Sequence, residues 1–149
     1  MLLSGCAPAA PDSTRNLTWE DAKSDAQAME RELAALIPPD VVVSIRQKPT
    51  GTLFSCDGVG YRWLGSTTVT VISGTTIESI VRDIEAQYQH SRFTTSTRMT
   101  LAGFFELDLR SPATTESYLI GENVEGSIWI DSSSACFTLP EGVYPGGDF

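Results

Sequence analysis

An alternation of apolar and charged residues in the second half of the chain constrains its fold more than any other feature. Between Phe105 and Arg110, apolar residues at odd positions alternate with charged residues at even positions. A similar alternation with polar residues runs from Phe93 to Leu101. Successive side chains of a β-strand point to opposite faces, so this pattern predicts a sheet with one buried and one solvated face.

Two helices are predicted to cover the buried face. Apolar residues recur every three or four positions from Trp19 to Leu36, with Thr18 as the helix N-cap, and again from Ile77 to Tyr88. This spacing is typical of an amphipathic helix. Pro38–Pro39 ends the first helix, because proline cannot continue the hydrogen-bond ladder.

The remaining segments complete an α+β fold. The β-branched run Val41–Arg46 and the segment Tyr61–Ser73 predict two strands between the helices, joined by a long connection. The predicted order is α-β-β-α-β-β-β-β, a two-layer fold in which a curved antiparallel sheet of about five to six strands carries two helices on one face. A single domain over residues 17–139 is expected between a tether (1–16) and an irregular tail (140–149).

Charge excludes one large class of partners. The formal net charge is −9, with 10 basic and 19 acidic residues in the chain. A nucleic-acid-binding protein needs a basic patch to neutralise phosphates, so we expect no nucleic-acid partner. No run of the sequence approaches the roughly 20 apolar residues of a transmembrane helix.

The chain begins with a motif that resembles the bacterial lipobox. Leu3-Ser4-Gly5-Cys6 combines an apolar residue, two small residues and a cysteine, and the Ala/Pro-rich segment 7–14 follows as an extended spacer. The resemblance implies a signal peptide that is cleaved before Cys6 and a lipid, with palmitate among its chains, on the Cys6 thiol. The alternative is an irregular N-terminus with an isolated cysteine.

The number of cysteines agrees with a lipid on Cys6. The chain has three cysteines, and an odd number in an exported protein requires an explanation for the unpaired one. If Cys6 carries lipid, Cys56 and Cys136 can form a disulfide that closes a loop of about 80 residues and contributes roughly 4 kcal/mol. The alternative is two reduced, buried thiols in a cytosolic protein.

Taken together, these features resemble the small cell-envelope lipoproteins of actinobacteria, of the mycobacterial Lpp type. The resemblance rests on the lipobox, the tether, Cys56-Asp57-Gly58 and Ser133-Ser134-Ala135-Cys136. It implies an envelope protein with paired cysteines and brings no established activity.

No arrangement of residues predicts catalysis. His90 is the only histidine, and the sequence lacks G-x-S-x-G, C-x-x-C and a complete phosphate-binding glycine loop. We therefore expect no enzymatic activity, no metal and no cofactor.

Two weaker features predict a binding face. Glu106 and Asp108 share one face of their strand, where Asp131 could join them, and the aromatic residues Tyr61, Trp63 and Trp129 alternate along two other strands. Ordinary solvation of the acids, and coverage of the aromatics by the tail or the loop 48–56, are the competing interpretations.

The sequence thus predicts a lipid-anchored, extracytoplasmic protein of the cell membrane with a non-enzymatic binding or structural role. Its partners would be the membrane, through the lipid on Cys6, and an envelope protein or cell-wall component. The alternative is a carrier of a small apolar ligand or lipid in a cavity between sheet and helices.

Overall fold

The computed structural model describes residues 16–124 and 126–149. Cys6, the rest of the lipobox and most of the predicted tether lie outside these residues. In chain order the elements are α1 (Trp19–Ala35), β1 (Val42–Gln47), β2 (Thr52–Cys56), β3 (Gly60–Val71), α2 (Ile77–Tyr88), β4 (Thr94–Met99), β5 (Phe105–Arg110), β6 (Ser117–Glu122) and β7 (Ser127–Ser133).

The first helix begins and ends where local chemistry predicts. The Thr18 side chain accepts a hydrogen bond from the backbone N–H of Asp21 at 3.1 Å, which satisfies one of the free donors of the first turn. The acids Glu20 and Asp21 lie near the positive end of the helix dipole. The helix ends at Ala35, with Leu36 as its C-cap two residues before Pro38.

The second helix buries one face and exposes the other. Its five buried residues recur at helical spacing: Ile77, Ile80, Val81, Ile84 and Tyr88. On the solvent side, Arg82 and Glu78 form an i,i+4 ion pair at 2.8 Å. The apolar stripe therefore fixes which side of α2 rests on the sheet.

All strand pairs are antiparallel. The sheet order is β1-β3-β7-β6-β5-β4, and β2 also pairs with β3. The long strand β3 pairs with β2 through its first half and with β1 through its second half. Strands β4 to β7 form a continuous meander whose last strand joins β3.

Two apolar clusters fill the space between the helices and the sheet. The larger cluster joins residues of α1 and α2 to the inward residues of β3, β5, β6 and β7. The smaller cluster lies under the first half of α1, where Ala22 and Ala26 leave room for Trp63 and Phe137. Both helices consequently pack on the same face of the sheet.

The α+β class, the antiparallel sheet and the helices on one face are confirmed. The predicted element order lacked one strand, because Thr52–Cys56 was assigned to a connection, and the sheet has seven strands in the described residues. Prolines and glycines flank this short segment, and it becomes a strand by pairing with β3. Within residues 16–124 and 126–149, neither helix is both long and apolar enough to cross a membrane.

Candidate functional site: the groove on the helix-free face

Strand register places a separate set of residues on the face of the sheet that carries no helix. In β5, the inward residues Phe105, Leu107 and Leu109 belong to the large core cluster, so Glu106 and Asp108 point away from the helices. Both acids therefore lie on one face, as strand alternation predicts. We call this surface the helix-free face.

A groove in two connected parts runs across this face. The first part has a volume of about 580 Å³ and a floor of Leu64, Ser66, Asp131 and Ser133, with Ser117 and Leu119. The second part, of about 400 Å³, lies over β4 and β5 and shares Ser117 and Leu119 with the first. Residues 48–52 and Asp148 of the tail border the first part, while its floor stays half exposed.

Six residues of three adjacent strands form the centre of the groove, which we call the central grid. In one row, Ser117 pairs with Arg110 on one side and with Ser133 on the other; in the next row, Leu119 lies between Asp108 and Asp131. The grid contains carboxylates, hydroxyls, a guanidinium and one apolar side chain. Such a mixture can exchange several hydrogen bonds with one ligand.

Two polar atoms of the grid have no hydrogen-bond partner among the described residues. Asp108 accepts a bond from Arg110 Nη2 at 3.2 Å through Oδ2, but its Oδ1 is buried and unpaired. The buried Oγ of Ser133 is also unpaired. Buried polar atoms are nearly always hydrogen-bonded in native proteins, so these two atoms mark a place where a ligand or solvent can bond.

Asp131 differs from the other carboxylates of the groove. It is open to solvent, but the surrounding floor and walls displace much of the nearby water. Burial raises the pKa of Asp131 above its ordinary value, while a hydrogen bond from Ser66 and the positive charge of Lys48 oppose the rise. This carboxylate therefore gains more than the others from a partner that donates a hydrogen bond.

Glu106 is held in a fixed position beside the grid. It is only 5% exposed, and its Oε1 accepts a hydrogen bond from Arg98 Nε at 2.6 Å. Glu106 in turn raises the pKa of the Arg98 guanidinium. The pair keeps both charges in place and leaves most of the Arg98 side chain in solvent.

Trp129 is an aromatic residue of this face and lies in the row of the sheet next to the grid. It lies across Gly121 from Glu106, and its ring atoms Cζ2 and Cε2 are 3.0 and 3.2 Å from the position that a Gly121 Cβ would occupy. Its Nε1 donates to the Glu122 carbonyl at 3.2 Å. Because Gly121 has no side chain, the indole can lie close to the sheet, half exposed beside Asp131.

The structure does not place Tyr61 or Trp63 on the predicted binding face. Trp63 is fully buried in the small cluster beneath α1, and its Nε1 donates to the Phe149 carbonyl at 3.1 Å. Tyr61, on the same side of β3, packs against that cluster. The binding-face interpretation was therefore wrong for these two residues, whose side of β3 is the one that α1 covers.

Cys56 and Cys136 form a disulfide, with their Cα atoms 6.4 Å apart. Cys56 pairs with Gly60 across β2 and β3, and Phe137, next to Cys136, pairs with Tyr61 on the other side of β3. The disulfide thus links β2 to the segment at Phe137, and these two lie on opposite sides of β3. The third cysteine, Cys6, lies outside the described residues.

Glu30 is a buried carboxylate that the sequence analysis did not identify. It is fully buried on the helix side of the sheet and accepts hydrogen bonds from Ser132, Thr67 and Gln47, the last two at 2.7 and 2.8 Å. Its position four residues after Ala26, on the apolar stripe of α1, is a signal that could have revealed it. With three donors around it, Glu30 joins α1 to β1, β3 and β7.

Among residues 16–124 and 126–149, no three His, Cys, Asp or Glu side chains come close enough together to hold a metal ion. The groove offers hydrogen bonds and ion pairs for binding, and Trp129 lies outside its lining, in the neighbouring row of the sheet. These interactions can recognise a polar ligand through its shape and its hydroxyl or amide groups.

The sequence matches no protein-family model and no curated protein. One similar solved structure is the candidate lipoprotein LppA from Mycobacterium tuberculosis, with 19% identity over 91% of this chain and 90% of that one, at a TM-score of 0.49. Another is a DUF4853 family protein from Actinomyces odontolyticus, with 17% identity over 81% of this chain and 73% of that one, at a TM-score of 0.39. These likenesses concern the fold alone and assign no residue a role.

Proposed function

We propose that this chain is a lipid-anchored, non-enzymatic binding protein on the extracytoplasmic side of a bacterial membrane, of the small actinobacterial lipoprotein type. Its binding site is the groove of the helix-free face, and its partner is a component of the cell envelope. The observation that carries the proposal is the groove itself, whose central grid holds unpaired polar atoms on a face that no helix covers.

The membrane anchor is supported by the use of the cysteines. Cys56 and Cys136 are joined to each other, and a structural disulfide is typical of exported proteins. Cys6 follows Leu3-Ser4-Gly5 and precedes the Ala/Pro-rich spacer, which is the order of parts in a lipoprotein. The domain would thus be held near the membrane through the Ala/Pro-rich segment that follows Cys6.

A non-enzymatic role is supported by the state of the groove carboxylates. Glu106 is paired with Arg98 and Asp108 with Arg110, so both carboxylates already have a partner. Burial raises the pKa of Asp131, but no neighbouring base–nucleophile pair accompanies it in the described part of the groove. Binding is the simpler use of this arrangement.

The alternative, a carrier of an apolar ligand between sheet and helices, is not favoured by any contact that we observe. The side chains at the centre of that interface, such as Leu107, Ile120, Ile128 and Ile130, are fully buried against one another. The groove lies on the opposite side of the sheet, and its lining mixes polar and apolar surface.

The anchor is tested by fractionating the host cell and measuring the mass of the peptide that begins at Cys6. We expect the protein in washed membranes, with a diacylglyceryl group on the Cys6 thiol. Cys6→Ser is the matched control, and it should be released from the membrane. Recovery of the wild type in the soluble fraction with an unmodified thiol would contradict the anchor.

Use of the groove is tested by hydroxyl-radical footprinting of intact envelopes and of the purified full chain. We expect Trp129 and Leu119 to be protected in the envelope and oxidised after purification. Tyr144 of the tail, 79% exposed and outside the groove, is the internal control. Equal oxidation of the groove residues in both samples would exclude an envelope ligand at this site.

A further inference from the structure

We propose that the ligand of the groove is a saccharide, bound across the central grid and extending to Trp129 in the next row of the sheet, where one sugar ring stacks on the indole. This inference rests on the proposed function, since it names the chemical class of the envelope component. The groove's hydrogen-bonding atoms, its charge, its apolar surfaces and its length each support the assignment.

The unpaired atoms of the grid match the groups of a sugar. Asp108 Oδ1 can accept a hydrogen bond, and Ser133 Oγ can both donate and accept one. A ligand that satisfies both atoms therefore carries at least one hydrogen-bond donor and a second group that donates or accepts a hydrogen bond. Vicinal hydroxyls have this property, because each is a donor and an acceptor at once.

A third unpaired atom extends the polar surface toward the disulfide. Arg62 Nε is buried without a partner among the described residues, and Arg62 lies on the helix-free face, two residues before Leu64 on β3. It adds a donor next to the β3 end of the groove, which is lined by Leu64. A ligand with only donors, such as an ammonium group, would leave this atom unsatisfied.

The charge of the groove favours a ligand without a large net charge. Its lining carries four carboxylates and three cations: Asp131, Asp148, Glu106 and Asp108, with Lys48, Arg98 and Arg110. Arg98 and Arg110 are already paired with carboxylates, so they are not free to hold a phosphate or a carboxylate of a ligand. The net charge of −9 on the chain opposes polyanions further.

Two apolar side chains lie close to the polar atoms of the grid, where the C–H faces of sugar rings can pack. The Trp129 indole lies on Gly121, and Trp129 is half exposed on the same face as Asp131, two residues along β7. Leu119 lies between Asp108 and Asp131 in the grid. The C–H faces of a pyranose can pack on such surfaces while its hydroxyls reach the adjacent polar atoms.

The length of the groove favours an oligosaccharide over a single sugar. The two parts extend from β4 to β3 across β5, β6 and β7. With neighbouring strands about 4.8 Å apart, the groove spans roughly 19 Å across the sheet. Several linked rings would be needed to contact both parts at once.

The experiment is a titration of the full chain, followed by the amide and indole N–H resonances in NMR spectra. The probes are linear hexasaccharides of N-acetylglucosamine, of mannose and of glucose at millimolar concentration, with tetralysine and tetraglutamate as charged probes. We expect at least one hexasaccharide, and neither peptide, to shift the Trp129 indole resonance and the amides of Asp108, Ser117 and Ser133.

Variants then locate the contact. Asp108→Ala should weaken binding about tenfold, because a hydrogen bond to a charged group is lost, and Ser133→Ala about threefold. The matched controls are Asp83→Ala and Ser79→Ala on the exposed side of α2, which should leave binding unchanged. The Ser133 hydroxyl has no partner within the described fold, so its removal tests binding without risk to folding.

The outcomes separate this inference from the proposed function. If a charged peptide shifts the grid resonances and no hexasaccharide does, the groove binds ligands but the saccharide assignment is wrong. If no probe shifts them, or if a hexasaccharide binds equally well to the Asp108 and Ser133 variants, the assignment is overturned. The footprinting experiment then decides whether the proposed use of the groove fails with it.

Discussion

The two faces of the sheet are made by the same strands but are stabilised in different ways. On the helix-covered face, fully buried side chains such as Leu107, Ile120 and Ile130 pack against α1 and α2. On the helix-free face, Asp108, Leu119 and their neighbours are only half buried, because neither α1 nor α2 packs on them. One face thus stabilises the fold, while the other also presents polar atoms that have no partner within the described residues.

This difference explains why the two faces should respond differently to substitution. Residues of the covered face have their partners within the protein, so a substitution there removes packing or hydrogen bonds. Some atoms of the free face have no such partner, so their loss should affect binding more than stability. Four comparisons test this distinction.

The largest difference is expected between neighbouring positions of β6. Ile120→Ala removes a fully buried side chain and should lower the free energy of unfolding by about 2–5 kcal/mol. Leu119→Ala, on the free face of the same strand, should lower it by less than about 1 kcal/mol. Urea unfolding with the disulfide intact measures both, and similar losses would show that the free face is also a structural core.

Two buried carboxylates give the next comparison. Glu30→Ala leaves the donors of Ser132, Thr67 and Gln47 without an acceptor and should cost about 2–3 kcal/mol. Glu106→Ala leaves Arg98, which is largely in solvent, and should cost less than about 1 kcal/mol. A larger loss for Glu106→Ala, measured by the same unfolding assay, would reverse the assigned roles of the two faces.

Gly121→Ala tests the position of Trp129. The added Cβ would lie 3.0 Å from the indole Cζ2, so the ring must move, at a cost of about 1–2 kcal/mol. We expect a shifted Trp129 indole N–H resonance because its bond to the Glu122 carbonyl is disturbed. The indole N–H of Trp63, on the other face, is the internal control and should not move.

The smallest effect is expected for Asp131→Asn. Burial raises the pKa of Asp131 in the folded protein, so ionisation of this group disfavours folding. The wild type should be less stable than the variant at neutral pH, by under about 1 kcal/mol because the group is open to solvent. The difference should disappear as the pH falls below the pKa of Asp131 in the unfolded chain. Urea unfolding at several pH values measures it, and a wild type that is more stable than the variant at neutral pH would contradict the prediction.

Periodic patterns were sufficient to predict much of the fold. The apolar stripes of α1 and α2 and the alternation in β5 each depend on residues close in sequence, and these elements form as expected. The assignment of Glu106 and Asp108 to one face follows from the same alternation. A local pattern is reliable here because each element buries a single side.

Long-range contacts explain what the sequence did not reveal. Trp63 is buried because Ala22 and Ala26 of α1 leave space above it and because Phe149 accepts its N–H bond. The strand β2 exists only through its pairing with β3. The unpaired atoms of Asp108 and Ser133 likewise emerge only when three strands are placed side by side, so the centre of the groove could not be predicted.

The disulfide over β3 also has a mechanical consequence. If the proposed lipid on Cys6 and a ligand in the groove hold the chain at two points, a pulling force passes through the domain. The Cys56–Cys136 bond closes the segment between the two cysteines, so this segment, about 270 Å long when fully extended, cannot be drawn out into a linear chain even if its hydrogen bonds rupture. The groove strands β4 to β7 lie wholly inside this closed segment.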